Sequence, residues 1–234
     1  DRFVTFAVDA RSEVAQHSIS LHQRPTGQRG VPMSYMYVAA LTATNVDGFA
    51  EAGATWAQDH YRALGARTTT GSQVIMGGEM AGTILVAFEY ETVDAAMAGQ
   101  QAFYSDQALV QLMQDHTVQI SRRSLMRIQA EFGERNGGFS SVLYLSSAPI
   151  DDASAQANFA TNWGHIQDGA HGMTTLANVA AGPAPFTHTV VTWTDSLDQL
   201  MAASVKNMAD PEVQKIMADW NVNLLGRTLA RRLF

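Results

Sequence analysis

The stretch Ser105-Asp-Gln-Ala-Leu-Val-Gln-Leu-Met113 returns as Ala209-Asp-Pro-Glu-Val-Gln-Lys-Ile-Met217, 104 residues further on. In both, an Asp able to cap a helix precedes apolar residues at helical spacing. In the second copy Pro211 takes the first helical position, where its missing N–H leaves no bond unmade. The same offset carries Val93-Asp94 onto Leu197-Asp198 and Arg123 onto Arg227. Toward the N-terminus the offset becomes 107, with Trp56 on Trp163, Tyr37 on Tyr144 and Met36-Val38 on Leu143-Leu145. That change implies a three-residue deletion between the second and third strands of the second copy. A period this long is domain-sized, so the chain reads as a duplication and not as a solenoid.

For the first copy the periodicity predicts a strand over 35–41 and a helix from Thr44-Asn45 to about Leu64. The apolar stripe of that helix is Val46, Phe49, Gly53, Trp56, His60 and Leu64. Strands follow over 68–76 and 83–90, then a helical region from Thr92 that restarts near Ser105-Asp106 and ends around His116, then a strand over 118–128. The second copy gives a strand over 142–147, a helix over 151–167 and strands over 173–179 and 187–194. A helical region over 197–220 and a strand over 222–233 complete it. Each copy is thus β-α-β-β-α-β, the ferredoxin-like order. The expected division is an N-terminal extension 1–33, repeat one 34–130, a linker 131–138 and repeat two 139–234. Within the extension, residues 2–8 have strand-like composition and 22–30 read as a polar linker. Met33 as initiator, and the extension as an edge strand or a partner-gripping arm, are open alternatives.

With 46% hydrophobic and 16% charged residues in 234, the chain has ordinary globular composition. A net charge of −7 argues against nucleic-acid binding, which draws its affinity from clustered Lys and Arg. The absence of cysteine removes disulfides, thiolate-bound zinc, iron–sulfur clusters and thiol nucleophiles. No apolar run approaches the roughly 20 residues that cross a bilayer, and no signal-peptide core is present. No membrane partner is expected, and the cytoplasm is the default location. Gly-x-Gly-x-x-Gly, Walker and Gly-x-Ser-x-Gly motifs are all missing.

A four-stranded sheet with both helices on one face leaves the other face bare. Tyr35, Tyr37, Val142 and Tyr144, assigned to that face, are too apolar for water, and the simplest cover is the other copy's sheet. By element order, copy length and the two helix motifs, 34–234 resembles the dimeric α+β barrel superfamily. Its members pack two ferredoxin-like units sheet to sheet, as two subunits or in tandem. The resemblance implies an α+β fold of two tandem repeats packed as an intrachain dimeric α+β barrel. Its activities span cofactor-free monooxygenases of antibiotic biosynthesis, haem-degrading monooxygenases, chlorite dismutases, muconolactone isomerases and polyketide cyclases. The site implied is the cleft between sheet and helices, or the barrel interior. Fold does not fix function. The reading is a small-molecule-binding protein of the cofactor-free monooxygenase, cyclase or isomerase kind, acting on an aromatic or polyketide-like compound. The alternative is a non-catalytic ligand-binding or assembly protein with a plugged barrel. A small aromatic ligand and a homo-oligomer are the partners expected.

The haem-degrading members use an Asn on the first strand, a Trp on the third and a His on the following helix. Here Trp193 falls on a third strand, but 196–208 contains no His, and Ser146 and Ser147 stand where the Asn would be. Copy one has Glu89 in place of the Trp, and its His116 answers to Trp220. His165, His171 and His188 match no zinc spacing. No haem, metal or other cofactor is expected. His60, four residues after Trp56 on one helical face, is the expected catalytic base, buried and therefore neutral; the alternative is a core-margin His bonded to backbone. Copy two has Gln167 there. Tyr37 and Trp56 are the expected cleft walls and Arg123 the anion anchor. Alternatively Arg123 and Arg227, like Arg127 and Arg231, form salt bridges to Glu89, Glu91 or Asp195.

Overall fold

The computed structural model describes residues 34–234. The extension 1–33, with its strand-like stretch and Met33, lies outside the described residues. The first half runs β1 (Tyr35–Thr42), α1 (Val46–Ala54), α2 (Ala57–Ala63), β2 (Thr68–Met76), β3 (Ile84–Tyr90), α3 (Val93–Phe103), α4 (Gln107–Asp115) and β4 (Gln119–Gly133). The second runs β5 (Phe139–Ser146), α5 (Asp152–Ile166), β6 (Gly172–Ala180), β7 (His188–Thr194), α6 (Leu197–Ala209), α7 (Pro211–Asp219) and β8 (Asn223–Arg232). The helix starts are capped as their sequences suggest. Asn45 accepts from the Gly48 amide at 3.0 Å, and Asp210 accepts from Glu212 and Val213 at 2.8 and 3.1 Å.

Strand order is β4-β1-β3-β2 in one half and β8-β5-β7-β6 in the other, antiparallel throughout. The halves do more than face each other. β2 pairs with β8 and β4 with β6, so the eight strands close into one barrel and exchanging the halves interchanges the two seams. Closure leaves none of these strands with an open edge. One face of each strand turns toward the helices and the other into the barrel. The architecture is that of a dimeric α+β barrel built from one chain. Among the described residues no helix is long and apolar enough to cross a membrane.

Every strand of the second half begins 104 residues after its counterpart, β5 after β1 as well as β8 after β4, and so do α6 and α7. The offset of 107 near the N-terminus, and the deletion inferred from it, are therefore incorrect. A slip of three residues is close to one helical turn and keeps a helix stripe in phase, which is why Trp56 and Trp163 matched. On a strand three is an odd number and inverts the face. The true counterpart of Tyr37 is Ser141, and that of Tyr144 is Ala40. Val142 and Tyr144 do face the barrel, beside Met36, Val38 and Ala40. Tyr35 and Tyr37 turn the other way and pack under the helices of the first half.

The single helix expected over 44–64 is two helices. Thr55 breaks it with φ −112° and ψ −103°, its hydroxyl donating to the Glu51 carbonyl at 2.7 Å, a local bond that competes with helix continuation. The restart shifts the buried stripe by one residue. Ala57 and Tyr61 face inward, and Trp56 is left 38% exposed. The first half's core runs without interruption from Tyr37 and Phe88 to Phe49, Tyr61 and Leu109. The second half's core is smaller, centred on Leu145, Met173, Val190 and Leu200, with Trp163 packed against it and stacked on Phe132.

Candidate functional site

The halves differ most in the space between sheet and helices. In the first half, Tyr37, Phe88 and Phe103 fill it together with Tyr61, whose ring lies 5.0 Å from Phe88 and 6.2 Å from Phe103, and a void of about 30 Å³ remains. The corresponding residues 104 positions on are Ser141, Thr192 and Asn207, and around them a cavity of about 110 Å³ opens. One buried water needs roughly 10–15 Å³ of such space, so the cavity takes a ligand on the order of ten non-hydrogen atoms. Its walls are mainly apolar, from Leu143, Leu145, Phe159, Val190 and Trp220. Three polar groups break that surface.

The first is His188, at the start of β7, 8% exposed, where the first half has Ile84. Its Nδ1 lies 2.9 Å from Thr187 Oγ1 and 3.1 Å from Ser147 Oγ. The Ser147 hydroxyl donates to the Ala148 carbonyl at 2.9 Å, and that of Thr187, more weakly, to the Leu145 carbonyl at 3.5 Å. Each hydroxyl has one proton; where both go to carbonyls, the imidazole donates at Nδ1. In the neutral ring the lone pair then sits on Nε2. Burial, with Arg127 adding its positive charge, holds the His188 pKa below the ordinary imidazole value and keeps the ring neutral near pH 7.

The second is Arg227 on β8. Burial lowers its pKa, and among the described residues no carboxylate lies within 4 Å of it. Its recorded side-chain bond goes to Met201 Sδ at 2.8 Å, a weak acceptor for a guanidinium. The third is Asn207 on α6. Its Nδ2 donates to Asn162 Oδ1 at 2.9 Å, while its Oδ1 is buried without a partner among the described residues. Among the described residues, a cation without a counterion and an unused acceptor thus share one apolar chamber with a buried imidazole.

The residues expected from sequence are dispersed in pairs through the first half. Tyr37 walls the filled cleft; burial pushes its hydroxyl up to about 12, against the opposing charge of Arg123. Arg123 bonds the Tyr104 hydroxyl and shares an open groove with Tyr37. His60 sits on α2 with Nδ1 2.6 Å from Asp106 Oδ2, so its partner is a carboxylate and not backbone, and Trp56 meets its ring edge-on at 5.2 Å. With its side chain 38% exposed, His60 lacks the burial expected of it, because the helix break at Thr55 turns it off the buried face. The structure brings Tyr37 to Arg123 and Trp56 to His60, in two separate places. His188 entered the sequence reading only as a zinc candidate. The signal that finds its site is Ser141, Thr192 and Asn207 read against Tyr37, Phe88 and Phe103 at the uniform offset.

His165 and His171 pair with Asp210 at 3.3 Å and Asp195 at 3.0 Å. Among the described residues no three His, Asp or Glu side chains converge to hold a metal. Arg127 bonds Asp152, and Arg231 bonds Gln73. Glu89 is met by Arg135 at 2.7 Å and Thr68 at 3.2 Å. Burial works to raise its pKa, but Arg135 and the neighbouring hydroxyls outweigh burial and hold it low.

No family model matches the sequence, and no curated protein does. Solved structures share its shape. A provisionally named monooxygenase from Lactobacillus acidophilus NCFM has a TM-score of 0.55 at 10% identity, over 86% of this chain and 95% of that one. A second, from Fusobacterium nucleatum subsp. nucleatum, has 0.53 at 8%, over 88% and 94%. A provisionally named chlorite dismutase has 0.53 at 9%, over 86% and 94%. At these identities the likeness is one of fold, and the fold is the dimeric α+β barrel.

Proposed function

We propose that the chain binds a small aromatic or polyketide-like compound in the cavity of the second half and activates it by proton transfer, as an enzyme of the monooxygenase, cyclase or isomerase kind. The observation that carries this reading is His188, whose Nδ1 is held by Ser147 and Thr187 on the wall of a chamber that Arg227 also lines; in this reading Nδ1 carries the proton and Nε2 the lone pair. In this scheme an acidic O–H or C–H of the ligand gives its proton to Nε2, and the ring becomes imidazolium. The electron pair left behind makes the ligand a phenolate or enolate, held by the Arg227 guanidinium. Asn207 Oδ1 accepts from a hydroxyl on the same ligand. The apolar walls exclude water and so strengthen both interactions. Return of the proton to a different atom gives isomerisation or ring closure; attack of the electron-rich anion on dioxygen opens the monooxygenase route. The names of two of the similar structures agree with that route. A haem of the kind held by haem-degrading members does not fit here. The helix after β7 lacks a His, Ser stands for the first-strand Asn, and the space is for on the order of ten atoms.

Calorimetric titration with hydroxynaphthoate tests the reading. Wild type binds it, and Arg227→Met binds it about tenfold or more weakly, the loss of one hydrogen bond to a charged group. His188→Gln keeps binding and loses ligand-dependent oxygen uptake or proton exchange. Binding that Arg227→Met leaves unchanged sinks the assignment.

A further inference from the structure

The interior of the barrel is not filled. A cavity of about 140 Å³ lies inside it, walled from both halves by Met36, Met126, Tyr144, Leu176, Phe186 and Trp193. It is separate from the chamber of the second half, because the sheet stands between them and alternate residues of β7, Val191 and Trp193 against Val190 and Thr192, face opposite ways. The same water-sized allowance gives it room for on the order of ten non-hydrogen atoms.

Thr70, Ser72, Ser140, Tyr144 and Thr189 add hydroxyls to its wall, and two other polar groups mark opposite poles. At one, Arg122 donates from Nε to Ser124 Oγ at 3.2 Å and from Nη2 to the Ala181 carbonyl at 2.7 Å, and its guanidinium stacks over Phe186 at 5.1 Å. Among the described residues no carboxylate lies within 4 Å of Arg122. The other cation on the wall, Arg135, is already matched by Glu89 at 2.7 Å and Glu131 at 2.6 Å. At the other pole Thr174 is 1% exposed, and its Oγ1 has no partner among the described residues. Native proteins seldom leave such a hydroxyl unused. Thr174 and Ala181 are seven residues apart along β6 and beyond, on the order of 20 Å of strand, so the poles lie far apart, with a middle in which Tyr144 and Thr189 direct their hydroxyls to Met80 and Met126. Thioethers from Met36, Met80 and Met126 line that middle, and such side chains adapt to a flexible chain.

We infer that the barrel interior is a second ligand site, for a medium-length aliphatic acid with a polar far end. The carboxylate pairs with Arg122, the chain lies along the methionines, and the terminal hydroxyl meets Thr174. The site rests on none of the residues assigned to His188 chemistry. ω-Hydroxydecanoate and decanoate are the probes, titrated calorimetrically into the full chain. The hydroxy acid binds more tightly than decanoate, Arg122→Met weakens both about tenfold or more, and Thr174→Val abolishes the difference between them. Ala87→Phe, or Val191→Phe should the first fail to fold, fills the lumen and removes binding, with circular dichroism confirming the fold. Thr192→Phe closes the other chamber and leaves these affinities unchanged. Failure of the acids to bind wild type overturns the inference. So does binding that survives both Arg122→Met and lumen filling, or binding lost in Thr192→Phe. None of these outcomes bears on the hydroxynaphthoate titration, which reads the other site.

Discussion

Phe88 and Thr192 hold the same place in the two sheets, Phe88 across from Tyr37 and Thr69, Thr192 across from Ser141 and Met173. The ring of the first occupies the volume that the second leaves empty. Duplication gave two equivalent clefts, and large-to-small differences at a few strand and helix positions decide which one is hollow.

This relationship can be inverted. Phe88→Thr opens the first cleft and costs about 3–5 kcal/mol, the range for truncating a buried Phe, measured by urea unfolding. Thr192→Phe closes the second cleft and abolishes hydroxynaphthoate binding, with an overpacking cost of about 1–3 kcal/mol at most. A loss under about 1 kcal/mol in Phe88→Thr shows that the ring is not what fills the first half.

The tautomer of His188 can be observed directly. Nitrogen-15 spectra near neutral pH show the proton on Nδ1, and the titration midpoint lies below the ordinary value of about 6.5, because burial first and Arg127 second disfavour the charged ring. A folded-state pKa below the unfolded one means the unfolded chain takes up the proton more readily, so this group's contribution is lost as pH falls through that window. Any rate that depends on the Nε2 lone pair falls on the same acid limb. A proton found on Nε2 sinks the base assignment.

Asp106 caps α4 through Oδ1, which accepts from Ala108 and Leu109 at 2.9 and 3.1 Å, while Oδ2 meets His60. The His60 bond is the largest cause of its lowered pKa, burial opposes it, and the Leu109 amide adds to the lowering. A depressed carboxylate stabilises the fold above its unfolded pKa, and that stabilisation is lost as pH falls through the folded value. Asp106→Asn keeps a cap and removes the titration. Its stability gap to wild type therefore narrows toward acid, and a gap that widens overturns the account. Asp106→Ala loses the cap as well, worth about 0.5–2 kcal/mol at neutral pH.

Arg135 binds Glu89 and Glu131 where all three are largely shielded from water. Arg135→Met leaves Glu89 buried and uncompensated and costs about 3–5 kcal/mol, whereas the double variant Arg135→Met, Glu89→Met recovers most of it. Thermal and urea unfolding of the single and double variants check this. Equal loss in both denies the pair its role.

Most of the architecture was legible because helix and strand periods write themselves into spacing, and the motifs at Asp106 and Asp210 fixed the repeat. The site was not. A three-residue slip is invisible on a helix and inverts a strand, so it gave Tyr37 a false twin in Tyr144 and hid the contrast with Ser141. The break at Thr55 was equally silent: the stripe through Trp56 and His60 is a good helical pattern, and nothing in its spacing marks Thr55, whose hydroxyl bonds the Glu51 carbonyl where the helix ends. A hollow is a property of residues that are small together, and no one of Ser141, Thr192 or Asn207 announces it.

The two seams of the barrel are unequal. β4 and β6 run together from Leu125 to Gly133, with register shifts after Leu125 and Ile128, whereas β2 meets the strand and tail of β8 only from Gly71 to Met76, with a shift after Val74. The cylinder therefore has a weak stave. Thermal breathing parts the wall there first, so the Gly71 amide, which donates to the Phe234 carbonyl across that seam, exchanges with deuterium sooner than the β4 amides that donate to β6. Such a slit gives a flexible chain sideways entry to the lumen without unfolding of either half, and a crosslink stitching Gln73 to Arg231 would slow uptake while leaving equilibrium affinity alone.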